Sequence, residues 1–159
     1  MTSAEPQPSR PSDPDAAALY DALATEHATI YGYGIVSAHS TPDVNDLVAQ
    51  ALSQHRSQRE VLITMLTARS VTPALAAAGY QLPTTVNDPT EAATLAVQME
   101  NDTAVAWRAV LEQAKPDPGA DGDRAFAVAA LTQSAVLAAR WKQVLKAWPL
   151  TQAFPGGNE

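Results

Sequence analysis

Residues 70–87 read SVTPALAAAGYQLPTTVN. Pro73, Gly79 and Pro83 interrupt the stretch, and its apolar residues keep no helical period. It is predicted to be a long connection, and connections of that length are uncommon inside a compact domain. Fully extended, it spans roughly 60 Å at ~3.3 Å per residue. A helix of roughly 27 residues is only about 40 Å long. The connection can therefore travel the full height of a helical bundle, so that the helices before and after it run parallel.

Outward from this stretch, the chain alternates long proline-free runs with proline-containing breaks. Upstream, Thr41-Pro42-Asp43 is a helix-start signal: a Thr cap, then proline, then an acid. Helix 2 is predicted from there to Arg69, with a seam of Val44, Val48, Ala51, His55, Gln58, Leu62 and Met65. Helix 1 is predicted over Pro14–His39, capped by Asp13, with Leu19, Leu23, Glu26, Ile30, Tyr33 and Ser37 on one face. The link between these two helices is so short that they must be antiparallel neighbours.

Downstream, Asp88-Pro89 opens helix 3, which runs to Ala114 and carries Ala92, Leu95, Ala96, Met99, Ala106 and Val110. Residues 115–120 break the pattern. Helix 4 is predicted over Asp121–Trp148, stopped by Pro149, with Phe126, Ala130, Gln133, Leu137, Trp141, Val144 and Trp148 along its seam. Residues 1–13 read as a disordered tail, 14–149 as the bundle and 150–159 as a second tail. Two antiparallel helix pairs joined by one long crossover between helices 2 and 3 make an all-α, ferritin-like four-helix bundle.

Composition narrows the function classes. There is no cysteine, which removes disulfide and thiolate chemistry. Acidic residues outnumber basic ones 17 to 10, for a formal charge of −7. Such a surface repels phosphate backbones, so no nucleic acid is expected. No apolar run approaches the ~20 residues of a membrane span, and the N-terminus has no basic start followed by an apolar core. The expectation is a cytoplasmic protein with no membrane contact.

The helix midpoints fall near residues 27, 56, 101 and 135. In a bundle of equal-length helices, midpoints share one height. Glu26, His55, Glu100 and Gln133 lie beside them, so each helix should give one polar residue to a central layer. A carboxylate cannot be buried without a partner. His55 and, one turn beyond it, Arg59 are candidate partners, with Gln133 bridging. The alternative is a single divalent metal ion (Fe, Mn or Zn) held by Glu26, His55 and Glu100, because two carboxylates and one imidazole suit such ions.

Glu26-His27, His55, Arg59, Glu100 and the terminal run Ala153–Gly156 resemble an actinobacterial ferritin-like domain family of unassigned function. The resemblance covers nearly all of the chain after residue 13 and implies the fold. Ferritin-like di-iron proteins use a carboxylate from each of two helices and Glu-x-x-His from each of the other two. Glu26 and Glu100 match the lone carboxylates, and His55 matches one imidazole. Leu52 stands where the accompanying Glu would be, and helix 4 has neither Glu nor His.

The site is therefore read as a degenerate di-metal site. The expected role is non-enzymatic, structural or interaction-based, with metal binding and oxidoreductase activity as the alternative. A small-ligand pocket lined by alanines and aromatics is a third reading. Tyr20, Tyr31, Tyr33, Trp107, Trp141 and Trp148 are taken as core or interface aromatics. A homodimer through helices 1 and 2 is expected, with Tyr31, Ile35, Val48 and Leu66 as its apolar edge.

Overall fold

The computed structural model describes residues 6–116 and 120–157. It contains four long helices: α1 (Pro14–His39), α2 (Asn45–Ala68), α3 (Pro89–Gln113) and α4 (Ala120–Leu145). Among the described residues no strand forms, and no helix is long and apolar enough to cross a membrane.

Local chemistry explains the helix starts. Asp13 caps α1 by accepting a hydrogen bond from the Ala16 amide at 3.2 Å, with Pro14 in the first turn. Asp88 caps α3 from the Glu91 amide at 2.8 Å, and Glu91 reaches back to the Asn87 amide at 2.7 Å. Thr41 does not cap helix 2 with its side chain. Pro42–Val44 instead winds as a short 3₁₀ turn, closed by the Val44 amide on the Thr41 carbonyl, and α2 begins three residues later.

Two helix ends differ from expectation for one reason. Helix α4 stops at Leu145, short of Trp148, because Lys146 turns left-handed at φ 54°. The Ala147 amide then bonds Lys142 O and the Lys146 amide bonds Gln143 O. This is the Schellman closure, usually made with glycine, which is why proline looked like the stop. Ser70, at φ 56°, closes α2 in the same way.

The core divides into two apolar clusters. One contains Tyr33, Val36, Val48, Ala51, Ala96, Met99, Leu137 and Trp141. The other contains Leu19, Leu23, Leu62, Leu66, Trp107, Val110, Ala127 and Ala130. Helices α1 and α4 contribute their early residues to the second cluster and their late residues to the first; α2 and α3 do the reverse. Helix α1 packs on α2 and α3, α3 packs on α4, and α2 meets α4 only over a short stretch. Small residues let the helices approach closely: a Cβ on Gly32 would lie 2.1 Å from Met99 Sδ. Gly34, by contrast, faces open space.

Val36 rather than Ser37 completes the inward face of α1. Val144 and Trp148 leave the predicted α4 seam; they are 43% and 79% exposed. Of the four residues expected as a dimer edge, Val48 and Leu66 lie in the core, Ile35 is half-buried, and Tyr31 is 38% exposed beside Tyr80, with ring centroids 5.4 Å apart.

Residues 69–88 pass along the bundle without regular structure, burying Ala74 and Val86 and packing Leu82 on the first cluster. Of the tail expected over residues 1–13, residues 1–5 lie outside the described residues. Residues 6–13 lie against the bundle. Gln7 pairs reciprocally with the backbone of Leu75 at 2.8 and 3.0 Å, and Arg10 forks onto Asp21 at 2.7 and 2.8 Å. The Tyr20 hydroxyl donates to the Pro8 carbonyl. These polar contacts replace the apolar burial that the segment's composition lacks. In the connection expected over residues 115–120 and the tail over 150–159, residues 117–119 and 158–159 are likewise outside the described residues.

Candidate functional site: a buried imidazole between two carboxylates

Glu26 from α1, His55 from α2 and Glu100 from α3 meet between the two apolar clusters, and all three are fully buried. The sequence placed them by helix midpoint alone, and the structure joins them directly. His55 Nδ1 lies 2.7 Å from Glu26 Oε2, and Nε2 lies 3.0 Å from Glu100 Oε1. The carboxylates stand at opposite ends of the ring. A neutral imidazole has one N–H and could serve only one of them as a donor; the imidazolium serves both.

The chain of hydrogen bonds continues at both ends. Trp107 Nε1–H donates to Glu26 Oε1 at 2.9 Å. The Tyr33 hydroxyl donates to Glu100 Oε1 and accepts from Trp141 Nε1–H at 2.9 Å. Trp107, Glu26, His55, Glu100, Tyr33 and Trp141 thus form one line that touches all four helices. Beside it, the Thr103 hydroxyl donates to Met99 O at 2.9 Å, so Thr29 must donate to Thr103 across 3.2 Å.

Sequence reasoning treated Tyr33, Trp107 and Trp141 as core aromatics and missed their polar role. A signal was present. Tyr33 follows Glu26 by seven residues and Trp107 follows Glu100 by seven, a spacing that keeps one helix face. Because α1 and α3 run in opposite directions, each aromatic reaches the carboxylate of the other helix. Burying a Tyr or Trp head group calls for such a partner.

Two expected members are placed elsewhere. The Arg59 guanidinium pairs with Glu60 at 2.7 Å, and its side chain is 32% exposed. Trp107 and His55 already bond the two oxygens of Glu26, the partner expected for Arg59. Gln133 is exposed and accepts from Gln58 Nε2 at 2.9 Å at the rim. Helix α4 keeps Ala130, Leu137 and Trp141 of the expected face buried but turns Ser134 inward in place of Gln133, so Ser134 is its buried polar residue. His27 is half-buried and donates to the Ala74 carbonyl at 3.1 Å. Its pKa is lowered, chiefly by burial.

Among the described residues, no group of three or more His, Asp and Glu side chains is arranged to hold a metal ion. Nor does the main surface cleft open on the layer. It measures about 1210 Å³ and lies at one end of the bundle, lined by Asp15, Glu60, Val61, Met65, Arg69 and Asp123. Its charges are internally paired, with Arg69 bridging Asp15 and Asp123 at 2.8 Å each.

Burial opposes a charge on His55. The hydrogen bonds to Glu100 and Glu26, followed by the charges of both, outweigh it and push the pKa from 6.5 up to about 10. Burial, then the Glu100 charge and hydrogen bond, hold the Tyr33 hydroxyl protonated well above its usual range, against the Trp141 hydrogen bond that lowers it. A folded-state pKa above the unfolded value stabilises fully below the unfolded pKa and is lost as pH rises through the folded one. The melting temperature is therefore expected to fall as pH climbs from about 6.5 to about 10. This fall should be missing in His55→Leu when both are followed by circular dichroism. Parallel profiles for the two proteins would contradict a charged His55.

No curated protein matches the chain. A solved structure does: the crystal structure of a conserved hypothetical protein, rv2844, from Mycobacterium tuberculosis is 63% identical, covers 89% of this chain and 96% of that one, and superposes with a TM-score of 0.79. A family profile described as Domain of unknown function (DUF4439) matches residues 18–159, a span that holds all four helices but the first turn and every residue of the central layer. The chain belongs to that family.

Proposed function

We propose that this protein is a ferritin-like bundle whose central layer is a degenerate di-metal site, with the His55 imidazolium in place of the metal and a structural or interaction role in place of catalysis. The helix directions support the ferritin-like reading, since α2 and α3 both start in the first cluster and the connection 69–88 must return along the bundle.

One observation carries the proposal. Both nitrogens of His55 are engaged by carboxylate oxygens, so no ring lone pair is left for a metal. A metal-ligating histidine uses one nitrogen for the ion and the other for an orienting partner. Here both carboxylates sit in the orienting position. The donors therefore do not fit the single Fe, Mn or Zn ion that two carboxylates and one imidazole would suit. The layer instead acts as a register device, since hydrogen bonds link all four helices at one height.

The test is the metal content of protein dialysed against Fe(II), Mn(II) or Zn(II), with His55→Ala in parallel. Neither protein should retain metal above background. About one ion per chain in the wild type, lost in His55→Ala, would replace this proposal with the metal-binding one.

A further inference from the structure

The connection between α2 and α3 does more than return the chain. Its residues 80–83 form one side of a second cavity, of about 390 Å³, whose other walls are α1 and α3. Connections of this length are uncommon in a compact domain unless they carry function. Ala24 and Ala28 on α1 and Leu95 and Met99 on α3 line the walls, each pair four residues apart and so on one helix face. The two alanines leave open the volume that longer side chains would fill. Thr29, Leu95 and Met99 are 2%, 0% and 8% exposed and make the floor. The cavity falls in the ~300–1,000 Å³ range of small-molecule sites, which are mostly apolar with a few polar groups that fix orientation.

Those polar groups can be counted. Thr25 donates its hydroxyl to the Asp21 carbonyl at 2.9 Å, and Thr29 bonds Thr103 across 3.2 Å. Tyr80 accepts from the Ala77 amide at 2.9 Å and keeps its own proton to donate. Gln81 is exposed and brings an amide that both donates and accepts. Asp102 differs from all of these. No hydrogen bond or ion pair among the described residues involves its carboxylate, and the residue is open to solvent at the rim. No Lys, Arg or His is among the described residues that line the cavity.

One unmatched carboxylate at the mouth of an apolar cavity selects its ligand. An anion is repelled by Asp102. A divalent metal is bound through several carboxylates or imidazoles, and Asp102 is the one such group in the lining. A purely apolar molecule would cover the carboxylate and leave it without a partner. A protonated amine on an apolar body meets both demands. Its ammonium donates to the carboxylate in a charge-assisted hydrogen bond, and its body displaces water from the alanines and Leu95.

We propose that the cavity between α1, α3 and residues 80–83 binds a small organic monoamine, with Asp102 holding its ammonium group and Leu82, Leu95 and Met99 packing its apolar body. The site shares no residue with the hydrogen-bonded line from Trp107 to Trp141, so the two proposals fail separately.

The probe is 2-phenylethylamine, titrated into the full-length protein and followed by calorimetry and by nitrogen-15 NMR. Neutral 2-phenylethanol and anionic phenylacetate, of similar shape, run beside it. The amine is expected to bind one-to-one with a Kd of about 1 mM or tighter, shifting the amides of Ala28, Leu82 and Asp102. The alcohol should bind about tenfold more weakly, and phenylacetate not at all. Asp102→Asn, at an exposed position, should weaken the amine about tenfold and leave the alcohol unchanged. Ala28→Leu, which fills the cavity, should abolish binding of both. Asp46→Asn removes an exposed carboxylate on α2 and should change nothing. No saturable binding of the amine below about 10 mM, equal affinity for amine and alcohol, or undiminished binding in Asp102→Asn overturns the proposal.

Discussion

Replacing His55 with leucine is expected to lower the unfolding free energy at neutral pH by about 3–5 kcal/mol, as measured by urea denaturation. The substitution keeps an apolar side chain of similar bulk between the clusters. It removes the one cation from between Glu26 and Glu100, both fully buried. Trp107 and Tyr33 would still donate to the two carboxylates, but neutral donors cannot balance two charges held away from water. Native domains are stable by only about 5–15 kcal/mol, so the variant should sit near the edge of folding. The defect should be largely relieved by combining His55→Leu with Glu26→Gln and Glu100→Gln, because the charge is then gone. A loss under about 1 kcal/mol, the size expected for an exposed pair, would show that the layer is not a buried ion cluster.

Trp107 is expected to be the most costly aromatic to truncate. Trp107→Ala should remove about 3–5 kcal/mol, because the ring is fully buried, packs on Phe126 at 5.5 Å and fills the second cluster. Trp107→Phe separates packing from polarity. It retains most of the ring and deletes the N–H that serves Glu26 Oε1. An orphaned buried acceptor costs about 1–3 kcal/mol, more when charged, so Trp107→Phe should still be measurably destabilised. In the Glu26→Gln background that cost should fall, which a double-mutant cycle reads directly. Purely additive effects would mean that Trp107 contributes only by filling space.

Both expectations concern residues that differ in how legible they were. Glu26, His55 and Glu100 could be placed together from helix lengths alone, because equal helices align their midpoints. Trp107 and Tyr33 could not be assigned as partners without the antiparallel pairing of α1 and α3. Their seven-residue spacing from each carboxylate marks a shared face within one helix and does not say which helix supplies the acceptor. Arg59 shows the converse. Its position one turn from His55 suggested a counter-ion, but both oxygens of Glu26 were already taken by Trp107 and His55.

Local signals determined the helices themselves. The Asp13-Pro14 and Asp88-Pro89 starts, the prolines between runs and the periodic apolar faces act within a few residues of each other, and α1 and α3 follow them closely. The long connection between α2 and α3 was equally visible, because proline and glycine act on their own backbone. Only the tertiary structure decided the choice on α4 that buries Ser134 and leaves Gln133 at the rim. Ala130, Leu137 and Trp141 are inward under either choice, and an alanine-rich period does not fix the edge of the face finely enough to choose between neighbours. The anchoring of residues 6–13 was also decided there. Both depend on groups that meet only after the helices have packed, and a one-dimensional pattern carries no record of those meetings; the left-handed closures at Ser70 and Lys146 are local, but no glycine marks them in the sequence.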